Sequence, residues 1–414
     1  MDKLKFASIG KDFDGRINML EKQTDQYVKF GNYNSFPNDL IELYNNSSIH
    51  NTCVNAIVDG IVGEGLTADP EYVIKKANTT DESWNDVFKK VAQDYKLYGG
   101  FAIEVIWNKS RTRVAEVYHI DFSWLRAKEK DYRGRIPGYY ISDEWSEAYR
   151  YGQAPIDEMP YLPVFNPNTN REEPKQIYVF NPYRPGQKYY PLPDYVGALR
   201  DIELDIETSN FHVNNIKNGL APSLMVTTFT NANEEEREAI ERMLQLQYAG
   251  TSNAGNLMYI DVDSPENAPK VEPIPQNGAD GYYTTINDMV VQRILTGHRI
   301  TSPMILGIKT SGQLGGRDEV VDAYLLLVNT VIRPYQQDIL QVIEDLLQYM
   351  YPEEEITVGV QQLKLFTDGS EDVDVVTSID ADTGDDSELE AEIEKADKEA
   401  SIDDDEPITE LPLA

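Results

Sequence analysis

The sequence predicts an α+β fold in which a mixed N-terminal part carries a pair of long helices with a small insert between them. Three observations predict it. Helical periodicity gives way to period-two strands near residue 100. Two long amphipathic stretches flank a short strand-helix-strand segment. A third long helix, interrupted by a proline, closes the ordered part before a strongly acidic end.

Taken in order, the first thirty residues are polar and weakly patterned. Val54, Ile57, Val58 and Ile61 recur at helical spacing within 49–65, ahead of Val62-Gly63-Glu64-Gly65. A second helix is expected over 81–98, from Trp84, Val87, Phe88, Val91 and Tyr95, with Gly99-Gly100 as its C-terminal stop. Phe101–Trp107 and Val114–Ile120 alternate and read as a hairpin joined by the polar, basic turn 108–113. Short strands are expected at 136–141 and 177–181, while five prolines between Pro155 and Pro174 argue against regular structure there.

From 192 to 219 Tyr195, Leu199, Ile202, Ile206, Ser209, Val213 and Ile216 form one apolar stripe opposite Asp201, Glu203, Asp205 and Glu207. Such a helix would be roughly 40 Å long at ~1.5 Å per residue. The insert is expected as strand 224–229, helix 234–248, strand 257–262 and a strand near 271–274. A helix over 282–298 follows, then the small-residue loop 309–316. A helix over 318–350 has Pro334 in its middle, where a missing backbone donor should kink it. A strand-like stretch at 356–366 precedes the end.

Charge sets further bounds. The chain has 414 residues and a formal net charge of −34. Residues 368–414 hold 19 acids and 2 bases, net −17, and the remaining 52 acids and 35 bases give the other −17. A tight, sequence-reading nucleic-acid binder needs a dense basic footprint, which this chain lacks. The one basic block, 89–135, has 11 Lys or Arg against 6 acids and suits contact with nucleic acid or an acidic neighbour, or equally a solvated hairpin face. The acidic end is expected to be disordered. Cys53 is the single cysteine, which excludes an internal disulfide and points to a reducing compartment. No signal peptide is expected, and the longest apolar run, Ala323 to Val328, is far too short for a membrane span. A soluble intracellular product is the expectation.

Catalytic chemistry is sparse. His50, His119, His212 and His298 show no metal-ligand spacing, so neither a metal nor a cofactor is expected. The loop Gly312 to Gly316 lacks the Lys-Ser/Thr of a phosphate loop. Asp261-x-Asp263 at a strand end has the donor type for Mg²⁺, but a lone Asp-x-Asp is a weak signal and a solvated strand end accounts for it better.

Four stretches, in this order and spacing over about residues 31–350, resemble the portal proteins of tailed bacteriophages. They are Tyr98-Gly99-Gly100-Phe101-Ala102-Ile103-Glu104-Val105 with His119-Ile120-Asp121 and Leu125-Arg126; Tyr190-Pro191-Leu192-Pro193; Asn218-Gly219-Leu220-Ala221-Pro222-Ser223; and Thr301-Ser302-Pro303-Met304-Ile305-Leu306-Gly307 with Asn329-x-x-Ile332-x-Pro334. The turn departs from the family's Gly-Val-Pro-Pro, and the acidic end is not a general family feature.

The resemblance implies a portal-like α+β fold: wing 1–190, first stem helix 191–219, clip 220–277, second stem helix 278–298, turn and tunnel loop 299–316, kinked wing helix 317–350, short crown 351–367 and acidic tail 368–414. It implies a non-enzymatic head-tail connector, a dodecameric homo-oligomer at one capsid vertex of the virion that is assembled in the host cytoplasm. Genome packaging, retention and ejection would pass through its channel. The implied partners are the terminase large subunit, the major capsid protein, head-completion or adaptor proteins and non-specifically held double-stranded DNA, with no membrane. Tunnel-loop residues Lys309, Thr310, Ser311, Gly312, Gln313, Leu314, Gly315, Gly316 and Arg317 would touch DNA. Glu203, Asp205 and Glu207 would face the lumen, and Glu234, Arg237, Glu241 and Arg242 would bind partners at the clip. The alternatives are another virion ring or adaptor, or a Mg²⁺-dependent nuclease using Asp261 and Asp263.

Overall fold

The computed structural model describes residues 21–24, 27–31, 33–145, 159–168, 171–218, 224–228, 238, 240, 257–261, 279–308 and 317–363. Its elements are short strands wrapped around a few helices, and one apolar core runs through them.

Two short strands, β1 (Glu21–Gln23) and β2 (Val28–Phe30), pair antiparallel inside the stretch expected to be unpatterned. They are anchored from outside: the Glu21 carboxylate accepts the backbone N–H groups of Lys188, Tyr189 and Tyr190, and Phe30 stacks on Tyr190 with centroids 4.2 Å apart. The first helix, α1 (Phe36–Asn46), was not expected; its buried Phe36, Leu40 and Leu43 do follow the helical step, with Pro37 in the first turn. Helix α2 (Ser48–Val62) and helix α3 (Trp84–Tyr98) match the two expected helices. Ser83 and Asp86 form a reciprocal capping box at the start of α3. Gly99 ends it at φ +84°, where a Cβ would overlap the carbonyl of Leu192.

The expected hairpin forms with its expected limits, β4 (Phe101–Trp107) and β5 (Val114–Ile120). Strand β4 is central, flanked by β5 and by β9 (Lys175–Phe180), all antiparallel. A second antiparallel sheet has the order β6 (Leu125–Ala127), β7 (Gly138–Ile141), β8 (Tyr161–Pro163). Strand β8 corrects the expectation that the prolines forbid regular structure: it lies at the sheet edge, where a proline forfeits no interior ladder bond.

Pro191 and Pro193 delay the first long helix. A 3₁₀ turn, Asp194–Ala198, comes first, and α4 (Leu199–Asn218) follows with 20 residues, roughly 30 Å rather than 40. In the insert, β10 (Leu224–Thr228) and β11 (Leu257–Asp261) are parallel, a pairing that needs a crossover between them. The expected helix 234–248 and the strand at 271–274 lie outside the described residues, apart from helical 238 and 240. Helix α5 (Ala279–Gly297) runs back antiparallel to α4: Asp201 meets Arg293 at 3.3 Å, and a Cβ on Gly297 would overlap that of Ala198.

The last long helix is split rather than simply bent. Helix α6 (Arg317–Leu327) passes through one π-helical stretch, Val328–Ile332, into α7 (Arg333–Met350). The Arg333 N–H reaches Val328 O, a widened turn just ahead of the donor-less Pro334. Beyond α7, β12 (Thr357–Gln361) pairs antiparallel with β3 (Gly65–Asp69). The described part of 351–367, expected as a separate crown, is therefore one strand of a sheet with the N-terminal part.

Candidate functional site

With little catalytic chemistry in the chain, the candidate site is the antiparallel helix pair α4/α5 and its seat on the α+β part. The seat starts at the 3₁₀ turn. Asp194 takes two bonds from the Lys96 ammonium, at 2.7 and 2.9 Å, and Lys96 is fully buried. The same ammonium lies 5.6 Å from the ring centroids of both Tyr195 and Tyr335. Tyr195 donates its hydroxyl to Leu97 O at 2.7 Å. Thus α3, the start of the helix pair and α7 meet around one buried cation.

Beside it, Ser47 caps α2. Its Oγ accepts the His50 N–H and donates to Asp205 Oδ2 at 2.7 Å. Here an expectation is corrected. Asp205 was placed on an open acidic face with Glu203 and Glu207, but it is buried against the α2 cap. The reason is helical geometry: position 205 follows Ile202 by three residues and shares the buried side. Glu207 is exposed and Glu203 half-buried, with its pKa raised by burial first and by Glu207 second. The acidic face is narrower than its sequence suggests.

At the far end of α5, His298 is fully buried, and its Nε2 lies 2.9 Å from His50 Nδ1. Arg299 adopts φ +62° and donates Nη2 to Thr330 O at 2.6 Å. That carbonyl is the one Pro334 would have served in an unbroken helix, so the residue just beyond α5 fills a bond the proline removes. Pro303–Leu306 then forms a 3₁₀ turn.

Large apolar side chains are exposed on both helices of the pair. Leu204, Phe211 and Val213 on α4 and Met289 on α5 are 40–46% exposed. The Asp201–Arg293 and Ala198–Gly297 approaches fix the heights of the two helices and bring Leu204 and Met289 to nearly the same level.

Most of the other expected site residues are not among the described ones. Lys309 to Gly316 and the clip residues Glu234, Arg237, Glu241 and Arg242 lie outside the described residues. Arg317 begins α6. Asp261 ends β11, and Asp263 lies outside the described residues. Among the described residues no group of three His, Cys, Asp or Glu side chains could hold a metal ion, and no helix is long and apolar enough to cross a membrane. Lys96, Asp194, His50, His298 and Arg299 were not foreseen. The one signal was His50 and Cys53 on the same helical face as Val54 and Ile57, a polar group inside an apolar stripe.

No known family model matches the chain. Over 145 residues it is 26% identical to a probable portal protein of Haemophilus phage HP1 (strain HP1c1); the match spans 34% of this chain and 42% of that protein, less than half its length. Three solved structures share the fold at 13% identity. They are a chain from the neck of an empty gene transfer agent particle computed with C6 symmetry (TM-score 0.53, 90% of this chain and 91% of that one), one from the virion of the native particle (0.51, 89% and 91%) and one from the native neck computed with C12 symmetry (0.50, 78% and 83%). The sequence match is to a member of the portal-protein family that the four sequence motifs resemble, and the solved structures share the fold.

Proposed function

We propose that this chain is the subunit of a portal-type ring at the vertex of a virion or virion-like particle, with a structural rather than a catalytic role. The observation that carries the reading is the fold match to chains of a particle's neck and virion over about nine-tenths of both partners. The exposed Leu204, Phe211, Val213 and Met289 add a physical reason for assembly, since apolar surface on a long helix pair is stabilised when a second copy covers it.

Within that reading the ring is a dodecamer, the α4/α5 pairs form the stem around a channel, and the insert 220–277 is the clip that meets the terminase large subunit and later the head-completion proteins. The wing meets the major capsid protein. Double-stranded DNA passes through the channel and touches the loop 309–316 with Lys309 and Arg317 at its ends. Glu203 and Glu207 keep the wall acidic, so that phosphates are repelled rather than bound. Asp205 is left out of that wall because it is committed to Ser47.

Negative-stain electron microscopy of the purified protein over a range of concentrations is the test. Rings with an axial hole of duplex width are expected, and a monomer at every concentration would overturn the proposal.

A further inference from the structure

The end of the helix pair is closed on the α+β part by two histidines 248 positions apart in sequence. Their rings lie 5.0 Å apart. Tyr195 stacks on His298 at 4.8 Å and meets His50 edge-on at 4.7 Å. The outer nitrogens, His50 Nε2 and His298 Nδ1, are buried without a partner. Two neutral imidazoles carry two N–H groups: one makes the shared N–H···N bond, and the other already sits on an outer nitrogen with nothing to accept it. An added proton would set a second orphaned N–H and a full charge into this space.

No neighbour is free to receive that charge. Lys96 on α3 is itself a cation, and Asp194 of the 3₁₀ turn is engaged by Lys96. Asp205 on α4 is bonded by Ser47. Tyr44 on α1 meets His50 edge-on, and burial raises the pKa of Cys53 on α2, of Tyr195 on the 3₁₀ turn and of Tyr335 on α7, so these three are not anions at neutral pH.

We propose that the His50–His298 pair is a proton-operated latch: neutral, it holds the end of α5 on α2, and protonated, it lets the helix pair lift from its seat while the sheets stay folded. Burial first, and Lys96 second, depress the pKa of His50 to about 3 and that of His298 well below its ordinary value. The sign follows. An opened histidine takes up a proton below about 6.5 and the seated one does not, so opening becomes easier as pH falls from about 6.5 toward 3. Between pH 7.5 and 5 the opening equilibrium should rise about 30-fold if one histidine is released, and about 900-fold if both are.

Amide hydrogen exchange of the full chain tests this, corrected for the intrinsic pH dependence of exchange. Amides at 294–300 and 50–54 are expected to show the rise, and amides of β4 and β9 are not. The double variant His50→Gln with His298→Gln keeps hydrogen-bonding side chains that do not titrate, and should flatten the profile. Asp94–His119, another titratable pair reaching α3, is unchanged in that variant and cannot account for a difference. A wild-type change at the junction within twofold of the sheet amides, or the same rise in the variant, would overturn the latch. Histidine ring exchange on the unmodified protein gives an independent reading: His50 and His298 should be slow, without an inflection near pH 6.5, and fast exchange with that inflection would contradict the closed geometry.

Discussion

The α+β part and the helix pair seated on it are held by different physics. Around β4 the chain is fastened by apolar area. Trp84, Phe88, Phe101, Ile103 and Val105 are fully buried, and Phe101 stacks on Phe180 at 5.0 Å. The seat of α4/α5 shares that core through Tyr195, Leu199, Ile202, Val290 and Ile294, and is distinguished by a few specific polar contacts: Lys96 with Asp194, Ser47 with Asp205, His50 with His298 and Arg299 with Thr330. Apolar packing is non-directional and degrades gradually, whereas a buried polar contact fails when one atom is missing or one proton is added. The division suits a body that must stay folded and a helix pair that must hold one position on it.

The largest effect should come from the first kind of fastening. Phe101→Ala removes a fully buried ring from the central strand and should cost about 3–5 kcal/mol. Urea unfolding should show it as a shift of the whole transition. A shift under about 1 kcal/mol would mean that the sheet is not the main body of the fold.

Next comes the polar seat. Lys96→Met leaves Asp194 facing an apolar space and should cost about 2–3 kcal/mol, less than a fully buried pair because Asp194 retains some exposure. Adding Asp194→Asn should recover most of that loss, since a matched neutral pair carries no stranded charge. A double variant as unstable as the single one would show that Lys96 acts through packing alone.

The third test separates assembly from folding. Leu204→Asp combined with Met289→Asp changes exposed positions and should leave monomer stability within about 0.5 kcal/mol. On the proposed ring it should abolish assembly in analytical ultracentrifugation and electron microscopy. Intact rings would remove this face from the subunit contact.

The same contrast explains what the sequence revealed. The hairpin 101–107/114–120, α3 and both strands of the insert could be read because each leaves a local signature: alternation, helical stripes, a Gly-Gly stop. The split at Pro334 was legible because proline lacks a donor, but not that Arg299, 31 residues before Thr330, would take the released carbonyl. Helix α1 was missed because its three core residues span barely two turns, too short a window for periodicity to stand out. The seat was illegible for a different reason. His50 and His298, or Lys96 and Asp194, meet only through tertiary folding, and nothing local marks one lysine among 37 Lys and Arg as the buried one. Asp205 shows the converse: composition grouped it with Glu203 and Glu207, although its step of three from Ile202 puts it on the buried side of α4, where it meets Ser47.

The smallest structural effect, and the most direct test of the channel reading, lies at the two acids that remain on the stem. Glu203 and Glu207 are one helical turn apart, and burial and then the charge of Glu207 raise the pKa of Glu203. A raised carboxyl pKa stabilises the fold fully below the unfolded value and loses that contribution as pH rises through the folded value, so at neutral pH the like-charged pair is a mild burden. Glu207→Gln should therefore lower the Glu203 pKa in an NMR titration and leave stability within about 0.5 kcal/mol. Replacing both acids by lysine should be nearly as neutral for folding, yet on the proposed ring it would turn a repelling wall into a phosphate-binding one. Duplex DNA should then be retained by rings at salt concentrations where the unmodified rings release it, with a steeper salt dependence from the added phosphate contacts. If DNA retention is identical in the two rings, these acids do not face the channel, and the lumen must be lined by another side of the helix pair.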